Sequence, residues 1–514
     1  MSEPRRETPW RRILFKKPTY LAAGVLAFLG ILLFDSRLHE FTEGGVDYGR
    51  RPALAAATTA LMAIWWLSEA TSIYITALVP LLLFPLFRIG GGGLLDEGEK
   101  ALTPYFNAYN FLFLGGMAIA AAMQQWNLHS RIALTILRAI GTRPRLILLG
   151  MLMATATISL WISNTATASM MLPIGMALAA QIEKQAGGTR RECFCGSLML
   201  AIAYGANVGG MGTKIGTGPN LIFSSFAARD LGREVTFLEF LAIGFPFVVL
   251  FLPVVWLALW AGGRRDAPRE DIGRDVIDRQ LEGLGPMSRG EWVVLAVFLA
   301  TAAMWICGQP IQGLLPKAIP LVENWTIKIE SRHIEAGIAM LAMVFLLAFP
   351  VGKEIPRGPM ALNFRSLRLI PWETLILLGG GLALAEGIEA SGLSKWMGGH
   401  LGVLREAPVF LQYLGVCLVT VYFGAIASNV ATTNLMLVVL KSVGIGQTLP
   451  LSAAATLSAS CDFMLPAGTP PNAIVFGSGY LTIPRMAKVG FVLDFLSASI
   501  LALWGSTGIR WILG

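Results

Sequence analysis

Charged residues are scarce in this chain: Asp, Glu, Lys and Arg make up 14% of the 514 residues, whereas hydrophobic residues make up 55%. A soluble domain carries roughly 25% charged residues, so the composition indicates a polytopic membrane protein. Uncharged runs of about 18 residues or more recur along nearly the whole length, which leaves no room for a large soluble domain. Apolar spans are predicted near residues 18–35, 53–68, 72–87, 106–128, 237–262, 291–308, 335–350, 371–396 and 489–512.

The chain also lacks the residue patterns of several other protein classes. Its five cysteines and four histidines are scattered, which excludes a disulfide framework and a spaced metal site. No G-x-x-x-x-G-K-[ST] sequence is present, which argues against an ATP-driven pump. An intramembrane protease is disfavoured because no histidine lies near the polar motifs described below and Asp462 is the lone acid there. We therefore expect no enzyme activity and no cofactor.

The net charge of +8 does not indicate nucleic-acid binding, because the basic residues lie in short loops, as the positive-inside rule predicts. The basic segment 1–17 is expected in the cytoplasm.

Two polar motifs occur twice within apolar sequence. Ser-Asn-Thr-Ala-Thr at 163–167 is repeated as Ser-Asn-Val-Ala-Thr at 428–432, and Gly-Thr-Gly-Pro-Asn at 216–220 as Gly-Thr-Pro-Pro-Asn at 468–472. These residues predict interrupted helices, which membranes tolerate only beside protein or a water-filled cavity. Paired interruptions in matching halves indicate the binding site of a transporter. The simpler interpretation is that small residues only let helices pack closely.

The charges that flank each motif predict its orientation. Residues 146–182 carry no charge and would span roughly 55 Å as one helix, so we expect a re-entrant hairpin with Ser-Asn-Thr at its tip. Basic flanks place both of its ends in the cytoplasm, whereas the counterpart at 407–440 should enter from outside. The two repeats are therefore inverted. Counting from a cytoplasmic N-terminus predicts about 11 transmembrane helices plus two hairpins, in an all-α fold with the C-terminus outside.

The predicted domain organisation follows from these segments. Scaffold helices occupy 18–103. A first repeat at 104–262 contains the hairpin near 146–182 and a broken helix near 193–228. A cytoplasmic loop at 263–290 and connecting helices at 291–366 come next. A second repeat at 367–514 contains the hairpin near 407–440, a broken helix near 449–482 and the last helix.

The ends of broken helices suit ions of both signs, because N–H groups attract anions and carbonyl groups attract cations. No arginine lies at either tip or either break, so an anion there would gain from a neighbouring Na⁺. Ser159, Ser163 and Asn164 offer the hard oxygen ligands that Na⁺ needs.

These motifs, together with Ala-Ser-Cys-Asp-Phe-Met-Leu-Pro at 459–466, resemble the divalent anion:sodium symporter family from about residue 50 to the end. The resemblance is to its bacterial di- and tricarboxylate carriers. It implies a homodimer in the inner (plasma) membrane with a fixed scaffold and a transport domain that moves as an elevator. It implies one Na⁺ site at Ser159, Ser163, Asn164 and Gly216, and a second at Ser428, Asn429 and Gly468. It implies substrate contacts from Asn164, Thr165, Thr217, Ser428, Asn429, Val430, Thr469 and Pro470.

The chain departs from this family at four positions. Val430 replaces a threonine that many bacterial members carry, a change expected to tune substrate size rather than abolish binding. Gly424 stands four residues before Ser428, where sodium-coupled relatives have a hydroxyl that completes the second Na⁺ site. Lys214 and Asp462 are each the only charge near a break, and an ionisable residue at membrane depth indicates function. Lys214 replaces a sodium ion or offsets substrate charge in our interpretation, and Asp462 pairs with Lys214, binds a cation or carries a proton.

The sequence thus predicts a secondary active carrier of di- or tricarboxylates, with C4 dicarboxylates such as succinate, malate and fumarate as substrates and Na⁺ as the coupling ion. Its partners would be the anion, Na⁺, the lipid bilayer and a second copy of the chain. A Na⁺-independent exchanger or a proton-coupled carrier, with Lys214 and Asp462 in place of a sodium site, remains an alternative. So does a carrier of sulfate or another inorganic anion, although two separated anion sites favour a dicarboxylate.

Overall fold

The protein is described by a computed structural model that covers residues 17–34, 42–43, 46–68, 70–268, 274–308, 318–322, 325–352, 359–400, 407–425, 428–444 and 447–514. The predicted cytoplasmic segment 1–17 lies outside the described residues apart from Lys17. The chain divides into two compact units.

The first unit contains the N-terminal helices and a later segment of the chain. It consists of the described residues within 1–106, 376–402 and 441–444. Its helices are α1 Lys17–Phe34, α2 Arg51–Ser68, α3 Ile73–Thr76, α4 Val79–Phe87, α5 Leu94–Leu102, most of α16 Trp372–Ala390, and α17 Leu393–His400. A short strand Thr42–Glu43 pairs antiparallel with Val46–Asp47.

Helix α16 belongs largely to this first unit because its glycines admit close neighbours. A Cβ at Gly380 would overlap Ala77, and a Cβ at Gly387 would overlap the ring of Phe84. The sequence assigned all of 367–514 to the second repeat, so this grouping was not anticipated.

The second unit contains both polar tips and both breaks. Its helices are α6 Ala108–Gln125, α7 Leu128–Ile140, α8 Pro144–Ser159, α9 Asn164–Gln185, α10 Glu192–Gly210, α11 Gly218–Asp230, α12 Phe237–Gly263, α13 Arg274–Gly283, α14 Arg289–Ile306, α15 Ser331–Ala348, α18 Val409–Gly424, most of α19 Asn429–Val443, α20 Thr448–Ala459, α21 Pro470–Phe476, α22 Ile483–Trp504 and α23 Arg510–Leu513. Helix α10 is buried along nearly its whole length and forms the centre of this unit.

The structure is helical apart from short strand pairs that the sequence did not predict. In the second unit, Ala318–Val322 pairs antiparallel with Trp325–Lys328, with Ala318 opposite Lys328.

Seven helices of the described residues are long and apolar enough to cross a membrane. Helix α12 shows why: Val249, Leu250 and Leu257 are exposed, while Phe247 and Phe251 on its other side are buried. Exposed apolar side chains on a long helix suit contact with lipid. The count of 11 crossings, the sidedness of the loops and the re-entrant entry of the hairpins stay predictions.

Each polar motif lies at an interruption between two helices. The tips fall between α8 and α9 and between α18 and α19, and the breaks fall between α10 and α11 and between α20 and α21. The helices therefore stop where small polar residues, glycine and proline interrupt the apolar sequence.

Candidate substrate and cation site

The first tip brings three oxygen atoms together. Ser159 Oγ lies 2.9 Å from Asn164 Oδ1 and 2.8 Å from the carbonyl oxygen of Ala206, and its single hydrogen can serve one of them. Ser159 is fully buried and Asn164 is 8% exposed. Hydroxyl, amide and backbone oxygens at this spacing are hard neutral ligands of the kind that alkali and alkaline-earth cations prefer.

Asn164 also joins the first tip to the first break. Its side-chain amide covers Gly210, where a Cβ would overlap the amide oxygen, and a Cβ at Gly216 would overlap the carbonyl of the same Gly210. The hydroxyl of Thr213 donates to the carbonyl of Leu160, which adds a second link. Of the sodium set that the resemblance implied, Ser159 and Asn164 are in direct contact, and Gly216 lies against Gly210, which Asn164 covers.

Ser163, the fourth member of that set, caps helix α9, where its side chain accepts from the amide of Ala166 at 3.4 Å. Serine is favoured at this position because its oxygen satisfies an amide that has no partner within the helix.

At each helix break, one asparagine side-chain amide donates hydrogen bonds to two backbone carbonyl groups. Asn220 Nδ2 donates to the carbonyl oxygens of Gly210 at 2.9 Å and Thr213 at 2.7 Å. Asn472 Nδ2 donates to those of Asp462 and Leu465, both at 3.0 Å. Each asparagine is fully buried, so it satisfies carbonyl groups that the interrupted helix leaves without intrahelical partners.

The second break is also tied to the first broken helix. Asn207 on α10 donates through Nδ2 to Thr469 Oγ1 at 3.1 Å, and Tyr204 donates to the carbonyl of Phe463 at 2.8 Å. Thr469 Oγ1 additionally accepts from the amide of Asn472 at 3.3 Å. The Thr469 hydroxyl oxygen therefore accepts two hydrogen bonds at the second break, and its hydrogen remains able to donate to a ligand.

The second tip contacts the first break through Val430. A Cβ at Gly218 would lie 3.2 Å from Val430 Cγ2, so the second tip packs on the N-terminus of α11 beside Thr217. The Asn429 side chain is partly buried, and its Oδ1 has no hydrogen-bond partner among the described residues. Ser428 immediately precedes α19 and is partly buried.

The remaining predicted substrate residues differ in exposure. Thr165 and Pro470 are exposed, Thr217 is partly buried, and Thr469 is 2% exposed. Thr217 precedes the first residue of α11 but makes no side-chain hydrogen bond that caps this helix.

Lys214 does not pair with Asp462, which corrects one of our interpretations. Its ammonium donates to Glu335 Oε2 at 2.6 Å and to the carbonyl of Val235 at 2.7 Å, and both charged side chains are almost fully buried. Glu335 Oε1 accepts from the amide of Phe237 at 2.7 Å. The lysine charge is thus neutralised by helix α15, because a buried ammonium requires a partner.

Sequence reasoning did not identify Glu335 or Asn207 as parts of this arrangement. Glu335 is an acid at the start of an apolar span, and Asn207 is one amide in a helix rich in alanine and glycine. A search for isolated polar residues in apolar helices would have found both, but only the folded chain shows their partners.

Comparison with known proteins places this arrangement in context. A family model described as the sodium:sulfate symporter transmembrane region matches residues 50–513. A sodium-dependent dicarboxylate transporter (SdcS) of Staphylococcus saprophyticus is 36% identical over 483 residues, which cover 92% of this chain and 89% of the relative. The transporter of the same name from Staphylococcus aureus is 36% identical over 496 residues, which cover 95% and 91%.

Solved structures share the fold at much lower identity. The YdaH transporter of Alcanivorax borkumensis matches with a TM-score of 0.55 at 15% identity, over 86% of this chain and 99% of that one. MtrF of Neisseria gonorrhoeae, whose report describes a class of antimetabolite efflux pumps, matches with a TM-score of 0.54 at 12% identity, over 84% and 94%.

Proposed function

Because this chain belongs to the sodium:sulfate symporter family, a family of membrane transporters and not of enzymes, we propose that it moves C4 dicarboxylates such as succinate, malate or fumarate across the inner membrane together with Na⁺. The two relatives named as sodium-dependent dicarboxylate transporters support the substrate class and the coupling ion. One observation supports the proposal above all: the pair of helix breaks. At each break, an asparagine amide donates to two backbone carbonyl groups, and residues with hydroxyl or amide oxygens lie beside it.

The proposed anion site uses helix N-termini and neutral donors. Helices α9, α11 and α19 begin at Asn164, Gly218 and Asn429, and a helix N-terminus favours negative charge. The hydroxyls of Thr165, Thr217 and Thr469 and the side chains of Ser428 and Asn429 would donate to the two carboxylates, beside Val430 and Pro470. Two tips from two repeats match the two ends of a dicarboxylate.

The proposed sodium site at the first tip takes its oxygens from Ser159, Ser163, Asn164 and the carbonyl of Gly216. The cation would reduce the charge of the bound dianion and so favour joint movement of both. All proposed site residues belong to the second unit, which supports an elevator mechanism in which that unit moves as a body. A homodimer remains part of this proposal.

Uptake of labelled succinate into proteoliposomes tests the proposal, with and without an inward Na⁺ gradient and with empty or succinate-loaded vesicles. We expect uptake into empty vesicles only when Na⁺ is present outside. Uptake restricted to loaded vesicles and indifferent to Na⁺ would instead identify an exchanger.

Sulfate is a second candidate substrate because the family description names it. Competition by sulfate against labelled succinate separates the two. We expect excess malate or fumarate to compete and sulfate to leave succinate uptake unchanged. Absence of succinate uptake under every condition, with Na⁺-dependent sulfate uptake, would overturn the dicarboxylate assignment.

A further inference from the structure

The two breaks share one hydrogen-bond register. In each, the asparagine side chain donates to the carbonyls ten and seven residues earlier: Gly210 and Thr213 for Asn220, Asp462 and Leu465 for Asn472. Asp462 therefore occupies in the second break the position that Gly210 occupies in the first. By the same register, Gly468 corresponds to Gly216.

Different side chains lie at these equivalent positions: beside Gly210 in the first break, and on Asp462 itself in the second. At the first break, Gly210 has no side chain and the amide of Asn164 covers it, held by the hydroxyl of Ser159. At the second break, the carboxylate of Asp462 packs directly on Gly468, where a Cβ would overlap both carboxylate oxygens.

The second tip lacks the hydroxyl that the first tip has. Ser159 lies four residues before Ser163, and Gly424 lies four residues before Ser428. The second repeat thus loses one hydroxyl oxygen at its tip and gains a carboxylate at its break. The Asn429 amide oxygen, which corresponds to the cation-ligand candidate Asn164 Oδ1, makes no hydrogen bond within the described part of the chain.

The carboxylate of Asp462 is fully buried and lacks a counter-charge. The amide of Met464 lies close to the carboxylate, and neither carboxylate oxygen has a side-chain donor or a counter-charge among the described residues. Lys214 is already paired with Glu335. An ionised carboxylate buried without a partner is costly, so either a proton or a cation must neutralise it. Carboxylate oxygens beside a neutral amide oxygen suit hard cations.

We propose that Asp462 is the anionic ligand of a Na⁺ site at the second break, together with the Asn429 amide oxygen, and that it compensates for the hydroxyl missing at Gly424. The inference rests on the proposed function for the identity of the cation. Since Asp462 neutralises the ion, Na⁺ binds there without succinate.

Direct binding tests this site in purified full-length protein without succinate. Na⁺ that binds the folded state raises the unfolding temperature Tm with concentration, and choline serves as the control salt. We expect Asp462→Asn and Asp462→Ala to raise the Na⁺ concentration for the half-maximal Tm shift by at least about tenfold, because even loss of an outer-sphere partner costs roughly that much metal affinity. The half-maximal Na⁺ concentration for succinate uptake should rise in parallel.

Asp494→Asn is the matched control. Asp494 is a fully buried acid near Asp462. Its Oδ1 accepts from the amide of Phe463 at 2.9 Å, and its Oδ2 has no partner among the described residues. Asparagine keeps the Oδ1 acceptor while removing the charge. We expect Asp494→Asn to leave Na⁺ binding near the wild-type value. An equal loss of Na⁺ affinity in Asp494→Asn and Asp462→Asn would overturn the ligand role, because both changes would then act through charge alone.

A rescue variant strengthens the test. A Cβ at Gly424 would lie 3.5 Å from the carbonyl of Ala459, an ordinary contact, so serine fits there. We expect Gly424→Ser to restore much of the Na⁺ response to Asp462→Ala, because it returns a neutral oxygen to the tip. If Asp462→Ala does not fold, the same rescue is measured on the isosteric Asp462→Asn.

The inference and the proposed function fail separately. Na⁺-dependent succinate uptake with an unchanged Na⁺ response in Asp462→Asn would remove Asp462 from the cation site and leave the function standing. A pH-dependent uptake that Asp462→Asn abolishes without changing Na⁺ binding would also overturn the inference. No succinate uptake by wild type, with an intact Na⁺-dependent Tm shift lost in Asp462→Asn, would overturn the function only.

Discussion

Lys214 and Asp462 look alike in the sequence, since each is an isolated charge near a helix break, yet their surroundings differ. Lys214 meets a carboxylate, a backbone carbonyl and the ring face of Tyr109, whose centroid is 5.3 Å from Nζ. Asp462 meets Gly468 and no cation among the described side chains. The lysine charge is therefore paired, whereas the aspartate has no counter-charge among the described side chains.

Replacement of Lys214 by Met should destabilise the protein by about 3–5 kcal/mol, because Glu335 would be left as an uncompensated buried charge. Glu335→Gln should act in the same direction. The double variant Lys214→Met/Glu335→Met should recover part of the loss, and thermal unfolding in detergent measures all three. A normal Tm for Lys214→Met combined with altered Na⁺ dependence of uptake would return the lysine to a coupling role.

Asn164→Ala should abolish succinate uptake while the protein stays folded, because it removes the amide oxygen beside Ser159 and uncovers Gly210. Asn429→Ala, its counterpart at the second tip, should do the same. Uptake assays on monodisperse protein measure this effect. Normal transport by either variant would exclude the corresponding tip from the site.

At the scale of elements, each helix break combines residues that interrupt the helix with one asparagine that binds the freed carbonyl groups. Glycine permits the close approach at Gly210 and Gly216, and proline begins the following helix. The carbonyls exposed by the break are satisfied by Asn220 and Asn472. The motif Gly-Thr-x-Pro-Asn thus contains both the interruption and the side chain that makes it tolerable in an apolar environment.

Asn220→Asp and Asn472→Asp should each destabilise the protein by about 1–3 kcal/mol or more, because a carboxylate cannot donate to the two buried carbonyls. Asn434→Ala is the matched control, since its amide nitrogen makes no hydrogen bond with the described residues. Thermal unfolding of all three variants provides the measurement. A larger loss in the control than in both Asp variants would refute the bracing role.

At the scale of the molecule, the two repeats contribute to one compact unit that contains every candidate site residue. The sequence also repeats Leu-Gly-Gly, at 114–116 and at 378–380. The equivalent glycines nevertheless pack on different partners: Gly115 lies against Ala339, and Gly379 lies against Tyr105. The repeat is therefore clear in the sequence, while the assignment of its helices to units follows from packing.

The topology prediction can be tested in intact cells with single cysteines introduced into a cysteine-free variant. We expect Gly514→Cys to react with a membrane-impermeant maleimide, because the C-terminus is predicted outside. Gly283→Cys, in the loop predicted to be cytoplasmic, should react only after the membrane is permeabilised. The reverse labelling pattern would show that the predicted topology is inverted, so that each hairpin enters from the opposite side of the membrane.

The sequence by itself determined the membrane class, the positions of the four helix interruptions and the residues offered at them, because hydropathy and helix-breaking residues act locally. The sequence also indicated the family, because its polar motifs occur in a fixed order along the chain. Tertiary structure decided which charges are neutralised and which are not. No spacing rule connects Lys214 to Glu335 or Asn207 to Thr469, since these partners meet only when distant helices pack.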